Sequence, residues 1–437
     1  MKGVQTKVLR LALPAASKHL LDILQILIDM IMVGMINVYA LAGVGLSMQF
    51  MMAINALMTL YIVGGNAVIA RFIGQNRKYR ASGLFYSLFI FALVLSLPVS
   101  LFGFWYSQSL FIWMGASHEV VVMGAAYFTP LVVGISFVFI DALFFNALSA
   151  AGDTSSSFYI KIVSAVVNVL FNYLLIFGHG GFDAMGVAGA AYATLIAYGI
   201  NIVLYMMILR SKNSVLIGFF RFDVVDLIRA LKVGYSAMLD RSISVFSFIL
   251  FVGIITAYGT EAIAGYQVGL RIEGLAFMPG FGFAVAAMAM VGQNLGALRL
   301  EEAYRSGIES MKLAIVLMGS VGLLLLFFPE FFISFFTQDS RVIQSASIYL
   351  QLVGISQIPL AMTFVLSGAL RGAGATKTTL KINVLSLWIL RVIPSYIAYK
   401  LGLGLLWIYI IMTIETYIKG GVYWYIYGQK RWQKIKI

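Results

Sequence analysis

Four side chains with the chemistry to hold an ion interrupt otherwise apolar stretches, at depths that let them meet. Asp29 lies within Ile28-Asp29-Met30-Ile31-Met32-Val33-Gly34, about seven residues, or roughly 10 Å, below the outer end of its hydrophobic run. Asn168 and Asn172 are four residues apart and so share one helical face. Asn172 is about six residues, or roughly 9 Å, from the same outer surface, and Thr194 enters the following run to a similar depth. A carboxylate, two amides and a hydroxyl together can take up a proton, or a small hard cation such as Na+ through oxygen ligands. Amides and hydroxyls also tie membrane helices together with no further role. A lone carboxylate is a costly tie, because an ionised group in hydrocarbon costs several kcal/mol unless it is paired or meets water.

Other charges interrupt the apolar runs. Asp22 is two turns before Asp29 on the same face, placed as a step on a proton path or as partner to a cation such as Arg391. Asp141 reads similarly. The second half carries Asp240, Arg241, Arg271 and Glu273. Arg241 and Glu273 can be drawn at one depth as a charge-paired cluster, with either a binding or a structural role. Glu415 and Lys419, an i, i+4 pair, compensate each other. Pro14, Pro279 and Pro394 are places for a kink or hinge. The 21 Met and 33 Phe supply pliable, polarizable surface suited to apolar cations.

These groups must be positioned by helices in a membrane. The chain is 61% hydrophobic and 11% charged, and most of its apolar runs exceed the ~20 residues that cross a bilayer as a helix. Turn residues divide them into twelve spans near 12–36, 42–72, 84–106, 120–149, 156–178, 186–209, 228–258, 262–291, 305–335, 342–370, 378–399 and 403–427. Twenty-four of the 30 Lys and Arg fall in the termini, in the even-numbered loops or at the helix ends beside them. Four (Arg241, Arg271, Arg391, Lys419) lie within spans, and only Arg341 and Lys400 fall on the other side. By the positive-inside rule both termini are cytoplasmic. The net charge of +13 is thus a topology signal and a contact for membrane lipids, not a nucleic-acid footprint. No signal peptide is read at the N-terminus. The absence of cysteine excludes disulfides and thiolate chemistry. His19, His118 and His179 are scattered, no phosphate-binding loop is present and no nucleophile has a base, so no enzyme and no cofactor is expected.

The chain also repeats itself. Ala40-Leu41-Ala42-Gly43 returns as Ala262-Ile263-Ala264-Gly265, Gly74-Gln75-Asn76 as Gly292-Gln293-Asn294, and the Ala-Leu-x-x-Ala-Gly-x-Thr pattern at Ala147 recurs at Ala369. The offset is 222 residues twice and 218 once. Six spans per half make the repeats parallel, as in secondary transporters whose path lies between repeats. The expected lobes are 1–215 and 216–437, joined by the basic loop Arg210 to Asp226. Adding 222 carries Asp29 to Phe251 and Asn172 to Pro394: the scaffold repeats and this polar set does not.

With these residues in view, the chain resembles the multidrug and toxic compound extrusion (MATE) family over nearly all twelve spans. Asp29 to Gly34 with Ala42-Gly43, Ile73 to Asn76, Gly152-Asp153-Thr154 and Gly186 to Ala191 carry the resemblance. So does the stretch from Tyr266 through Glu273 and Met278-Pro279-Gly280-Phe281-Gly282-Phe283 to Ala297. It implies an all-α integral membrane protein of twelve helices in two parallel-related six-helix lobes, V-shaped. It also implies exchange of H+ or Na+ for organic cations, with Asp29 the coupling carboxylate. Asn168 and Thr194 match one branch of the family, and Asn172 stands where that branch has Asp. Asp240 stands where relatives often carry Glu.

The expected function is therefore gradient-driven export of amphipathic organic cations or drugs across the inner membrane by a monomer. A flippase for a lipid-linked diphosphate, using Arg241, Arg271 and Arg391, is the alternative. A non-transporting scaffold is the third.

Overall fold

The computed structural model describes residues 2–210, 216 and 221–435. The expected lobe boundary at 215/216 falls at the edge of stretches outside the described residues. Among the described residues all regular structure is helical: α1 (Lys2–Gly34), α2 (Val38–Gly74), α3 (Lys78–Trp113), α4 (His118–Val133), α5 (Ile135–Ala151), α6 (Ser155–Phe177), α7 (Val187–Arg210), α8 (Val224–Thr256), α9 (Thr260–Ala276), α10 (Met278–Gly296), α11 (Leu300–Phe327), α12 (Pro329–Ile333), α13 (Ser340–Gly372), α14 (Thr376–Leu385), α15 (Ile393–Lys400) and α16 (Leu405–Gly428). Ten helices, with α14 and α15 joined as one, are long and apolar enough to cross a bilayer. The bent pairs α4/α5 and α9/α10 complete two more crossings.

Local chemistry explains the ends. Asn37, Asp223 and Asp339 cap α2, α8 and α13 by accepting backbone N–H bonds from the first turn. The fourth span bends 57° at Gly134, a poor helix former four residues after Pro130. The eighth bends 43° at Phe277, where Pro279 begins a new helix. The ninth ends at Phe328, since Pro329 disfavours a helical residue before it. Pro14 leaves α1 continuous. In the eleventh span a π-helical segment, Ser386–Val392, precedes Pro394, and the crossing continues through it.

The repeat is visible down to single bonds. Thr154 Oγ1 donates to the Leu11 carbonyl at 2.8 Å, and Thr376 Oγ1, 222 residues on, donates to the Val233 carbonyl at 2.7 Å. The halves meet with the same symmetry. A methyl group at Gly74 would lie 1.9 Å from the Gln293 carbonyl oxygen, and one at Gly296 would lie 2.1 Å from that of Arg71. These pairs are also related by 222, and only glycine permits such backbone contact. Each half contributes a large apolar core, one centred on Phe139 and Tyr205, the other on Phe283 and Tyr427. The first helix of each half, α1 or α8, packs on α10 or α2 of the other. A displacement inside one half therefore reaches its partner directly.

Candidate functional site

In the amino-terminal half, two polar stripes face each other. Lys18, Asp22, Gln25 and Asp29 recur at helical spacing on α1, and Lys161, Asn168 and Asn172 do so on α6. Asn172 Nδ2 donates to Asp29 Oδ1 at 2.5 Å and to Asn168 Oδ1 at 3.2 Å. Asn168 Nδ2 lies 3.4 Å from Thr194 Oγ1, whose own proton goes to the Ala190 carbonyl. Asp29 is 6% exposed, and both asparagines are fully buried. The Oδ1 of Asn172 is buried without a hydrogen-bond partner among the described residues. All four residues read as one site are thus brought together. Their oxygens include a carboxylate and an acceptor left open, a combination that can receive a proton or a small cation.

Below it, Lys161 Nζ lies 2.8 Å from Asp22 Oδ1 and 2.5 Å from Gln25 Oε1. Lys18 takes the other Asp22 oxygen at 2.8 Å. Asp22 is therefore held within its own lobe, and the partnership with Arg391 is not found. Asp141 accepts from Asn201 Nδ2 at 2.8 Å. Lys161 is the residue that sequence reasoning missed. It was counted with the basic helix ends, although its spacing of seven from Asn168 placed it on the same stripe.

The carboxy-terminal half corrects the idea of a single charge cluster. Asp240 is bound by Arg371 at 2.8 Å and by Asn383 at 2.9 and 3.0 Å. Tyr423 supports Asn383 at 2.9 Å. Glu273 instead accepts from the Tyr349 hydroxyl, so the drawn Arg241–Glu273 pairing does not form. The reason is rotational: Glu273 turns toward α13, whereas Arg241 and Arg271 are exposed and make no ion pair or hydrogen bond among the described residues. A further network, unforeseen as a whole, surrounds the fully buried Glu415. Arg391 approaches at 2.5 Å, Lys419 at 2.9 Å, and Ser386 donates its hydroxyl. Buried polar groups thus occupy both halves, with different residues at equivalent places. Among the described residues no group of three or more acidic or histidine side chains could hold a metal.

Residues 14–174 and 237–397 each match the MatE family, one match per half. Curated relatives include a probable multidrug resistance protein NorM of Thermotoga maritima, 28% identical over 99% of this chain and 94% of its own length. Another is the uncharacterized transporter YisQ of Bacillus subtilis, 24% identical over 93% and 89%. Among solved structures, an outward-facing multidrug resistance MATE family transporter of the MOP superfamily superposes with a TM-score of 0.91 at 22% identity. That match covers 99% of this chain and 97% of the other. A MOP superfamily transporter from Pyrococcus furiosus, described as having a binding pocket of reverse polarity, gives 0.89 at 22% identity over the same shares. Twelve crossings, a duplicated scaffold and two family matches at one offset make this chain a membrane transporter of the MatE family.

Proposed function

We propose that the protein is a multidrug exporter of the cell's inner membrane, exchanging H+ or Na+ for amphipathic organic cations or drugs. Both termini are cytoplasmic, the chain acts as a monomer, and the lobes 1–215 and 216–437 rock about the contact between α2 and α10. The observation that carries this reading is the Asp29 pocket: a buried carboxylate with one short amide contact, next to an asparagine oxygen with no partner. Ion arrival at Asp29, Asn168, Asn172 and Thr194 neutralises the carboxylate and weakens its hold on α6. Because α1 also packs on α10 of the other half, the loosened helix shifts the balance between outward-open and inward-open states. The names of the relatives add support for drugs as substrates. The flippase alternative fits less well, since Arg391 is tied to Glu415 and is not available to a diphosphate.

Reconstitution into liposomes with separately imposed pH and sodium gradients tests this. Dye movement driven by one gradient is expected and identifies the coupling ion. Dye movement indifferent to both gradients would overturn the reading.

A further inference from the structure

Two hydrogen bonds fix how α8 lies against the eleventh crossing. Thr376 Oγ1 donates to the Val233 carbonyl at 2.7 Å, and Asn383 Nδ2 to Asp240 Oδ1 at 2.9 Å. Both pairs are 143 residues apart, so the helices run parallel. Lys377 is level with Gly234, Lys381 with Met238 and Trp388 with Val245. One side of α8 belongs to the other lobe. A methyl group at Gly234 would lie 1.6 Å from the Leu60 carbonyl oxygen of α2, and one at Gly64 would lie 1.8 Å from that of Ala230. The far side carries Lys232, Tyr235, Ser242 and Phe246 at helical spacing, all exposed. Since that side points away from α2, its exposed rings lie on the outer perimeter of the lobe, where lipid is the solvent.

The eleventh crossing presents a matching stripe, Lys377, Lys381, Val384 and Trp388, at spacings of four, three and four residues. Between the stripes runs an open groove of about 450 Å³ lined by Ser242, Ile243, Phe246, Val384 and Trp388. Phe246 and Trp388 stack in its wall with ring centroids 6.1 Å apart. Trp388 belongs to the π-helical segment, where its carbonyl accepts the Ile393 N–H, and such segments recur at functional sites. Toward the start of both helices the groove leads to Lys232, Lys377 and Lys381. Their levels span six residues of α8, roughly 9 Å, and the groove continues for eight more, roughly 12 Å. None of the three lysines makes an ion pair or hydrogen bond among the described residues. The carboxylate at this depth, Asp240, is buried and already held by Arg371 and Asn383.

We propose that this groove binds one anionic phospholipid from the leaflet at which α8 and α14 begin, cytoplasmic in the orientation given above. The lysines reach along their flexible stems to the phosphate and headgroup, and one acyl chain lies against Phe246 and Trp388. Basic pockets between membrane helices hold anionic headgroups, with each lysine contributing about fivefold in affinity. A zwitterionic lipid fills the groove without that gain. The bound lipid braces the first helix of the carboxy-terminal lobe against its fifth crossing, on the side opposite the other lobe. The site requires only that the chain spans a membrane, so it stands or falls apart from drug export.

Bromine on an acyl chain quenches tryptophan at contact. Purified protein in detergent is titrated with phosphatidylglycerol or phosphatidylcholine carrying the same dibrominated chains. The difference in emission between the unaltered protein and Trp388→Phe isolates the groove tryptophan among the six present. Trp388 is expected to be quenched by both lipids, with a midpoint at least tenfold lower for phosphatidylglycerol. Lys232→Gln, Lys377→Gln and Lys381→Gln should each raise that midpoint about fivefold while leaving the phosphatidylcholine midpoint within about twofold. The latter is also the control for folding. A triple variant Lys7→Gln, Lys78→Gln, Lys434→Gln removes equal charge elsewhere and should keep the preference. Absence of Trp388 quenching by either lipid, equal midpoints in the unaltered protein, or the same loss in the distant triple variant would overturn the site.

Discussion

The two lobes share a backbone and differ in electrostatics. Lys18 and Asp240 occupy equivalent places, as do Lys161 and Asn383, and in each lobe these positions lie at the interface of its first helix with its fifth crossing. In the amino-terminal lobe two lysines face Asp22, and Asp29 is left with an amide. In the carboxy-terminal lobe the carboxylates within the crossings have a cation or a hydroxyl: Arg371 for Asp240, Arg391 and Lys419 for Glu415, Tyr349 for Glu273. Duplication preserved the contacts that determine helix position, such as the Thr154 and Thr376 bonds. The charges were free to diverge where they are compensated locally, as at Asp22, Asp240 and Glu415, so exchanging one such set for another leaves the packing intact. What distinguishes the amino-terminal lobe is carboxylates met only by amides, Asp29 by Asn172 and Asp141 by Asn201, and of the two it is Asp29 that lies beside an open asparagine oxygen.

The largest difference should appear on removing that group. Asp29→Asn is expected to reduce gradient-driven dye flux in proteoliposomes to the level of protein-free vesicles while the protein remains folded. Undiminished uphill flux would take Asp29 out of the coupling. Next comes Glu415→Gln, which leaves Arg391 and Lys419 buried beside each other. Removing one partner of a buried ion network costs about 3–5 kcal/mol, so a marked fall in the detergent melting temperature is expected. The contrast between these two substitutions is the sharpest test of the comparison. Each replaces a buried carboxylate with its amide, but only the carboxy-terminal change should lower the melting temperature markedly, and similar melting curves would erase the distinction.

Lys161→Met should have an intermediate effect. Asp22 keeps Lys18 but loses a buried partner, and Gln25 loses its donor, for about 1–3 kcal/mol read by thermal denaturation. The smallest effects concern the shared scaffold. Thr154→Val and Thr376→Val each delete one equivalent bond and should each cost about 1 kcal/mol. Equal shifts in melting temperature would support a common framework, whereas a loss confined to one lobe would mean that only that lobe uses it.

Much of this was legible residue by residue. The twelve crossings followed from the length of the apolar runs, and the Asp29, Asn168, Asn172, Thr194 set followed from matched depths. Two crossings bend, and Gly134 illustrates why the fourth was drawn straight: one glycine in an apolar run is compatible with either outcome. The Pro279 break carried a stronger signal because proline removes a backbone donor. Lys161 was overlooked because loop proximity outweighed its helical register. The Arg241–Glu273 pairing failed because depth along a helix says nothing about rotation around it.

The chain by itself determined its solvent, its number of crossings, its duplication and the depth of its charged groups. Each of these depends on composition and on distance along one helix axis, quantities that a linear sequence contains. Only the tertiary structure decided which charges neutralise one another and which lack a partner among the described residues. Pairing depends on the rotation and crossing of helices hundreds of residues apart, and those are set by close backbone contacts such as Gly74 on Gln293 and Gly234 on Leu60.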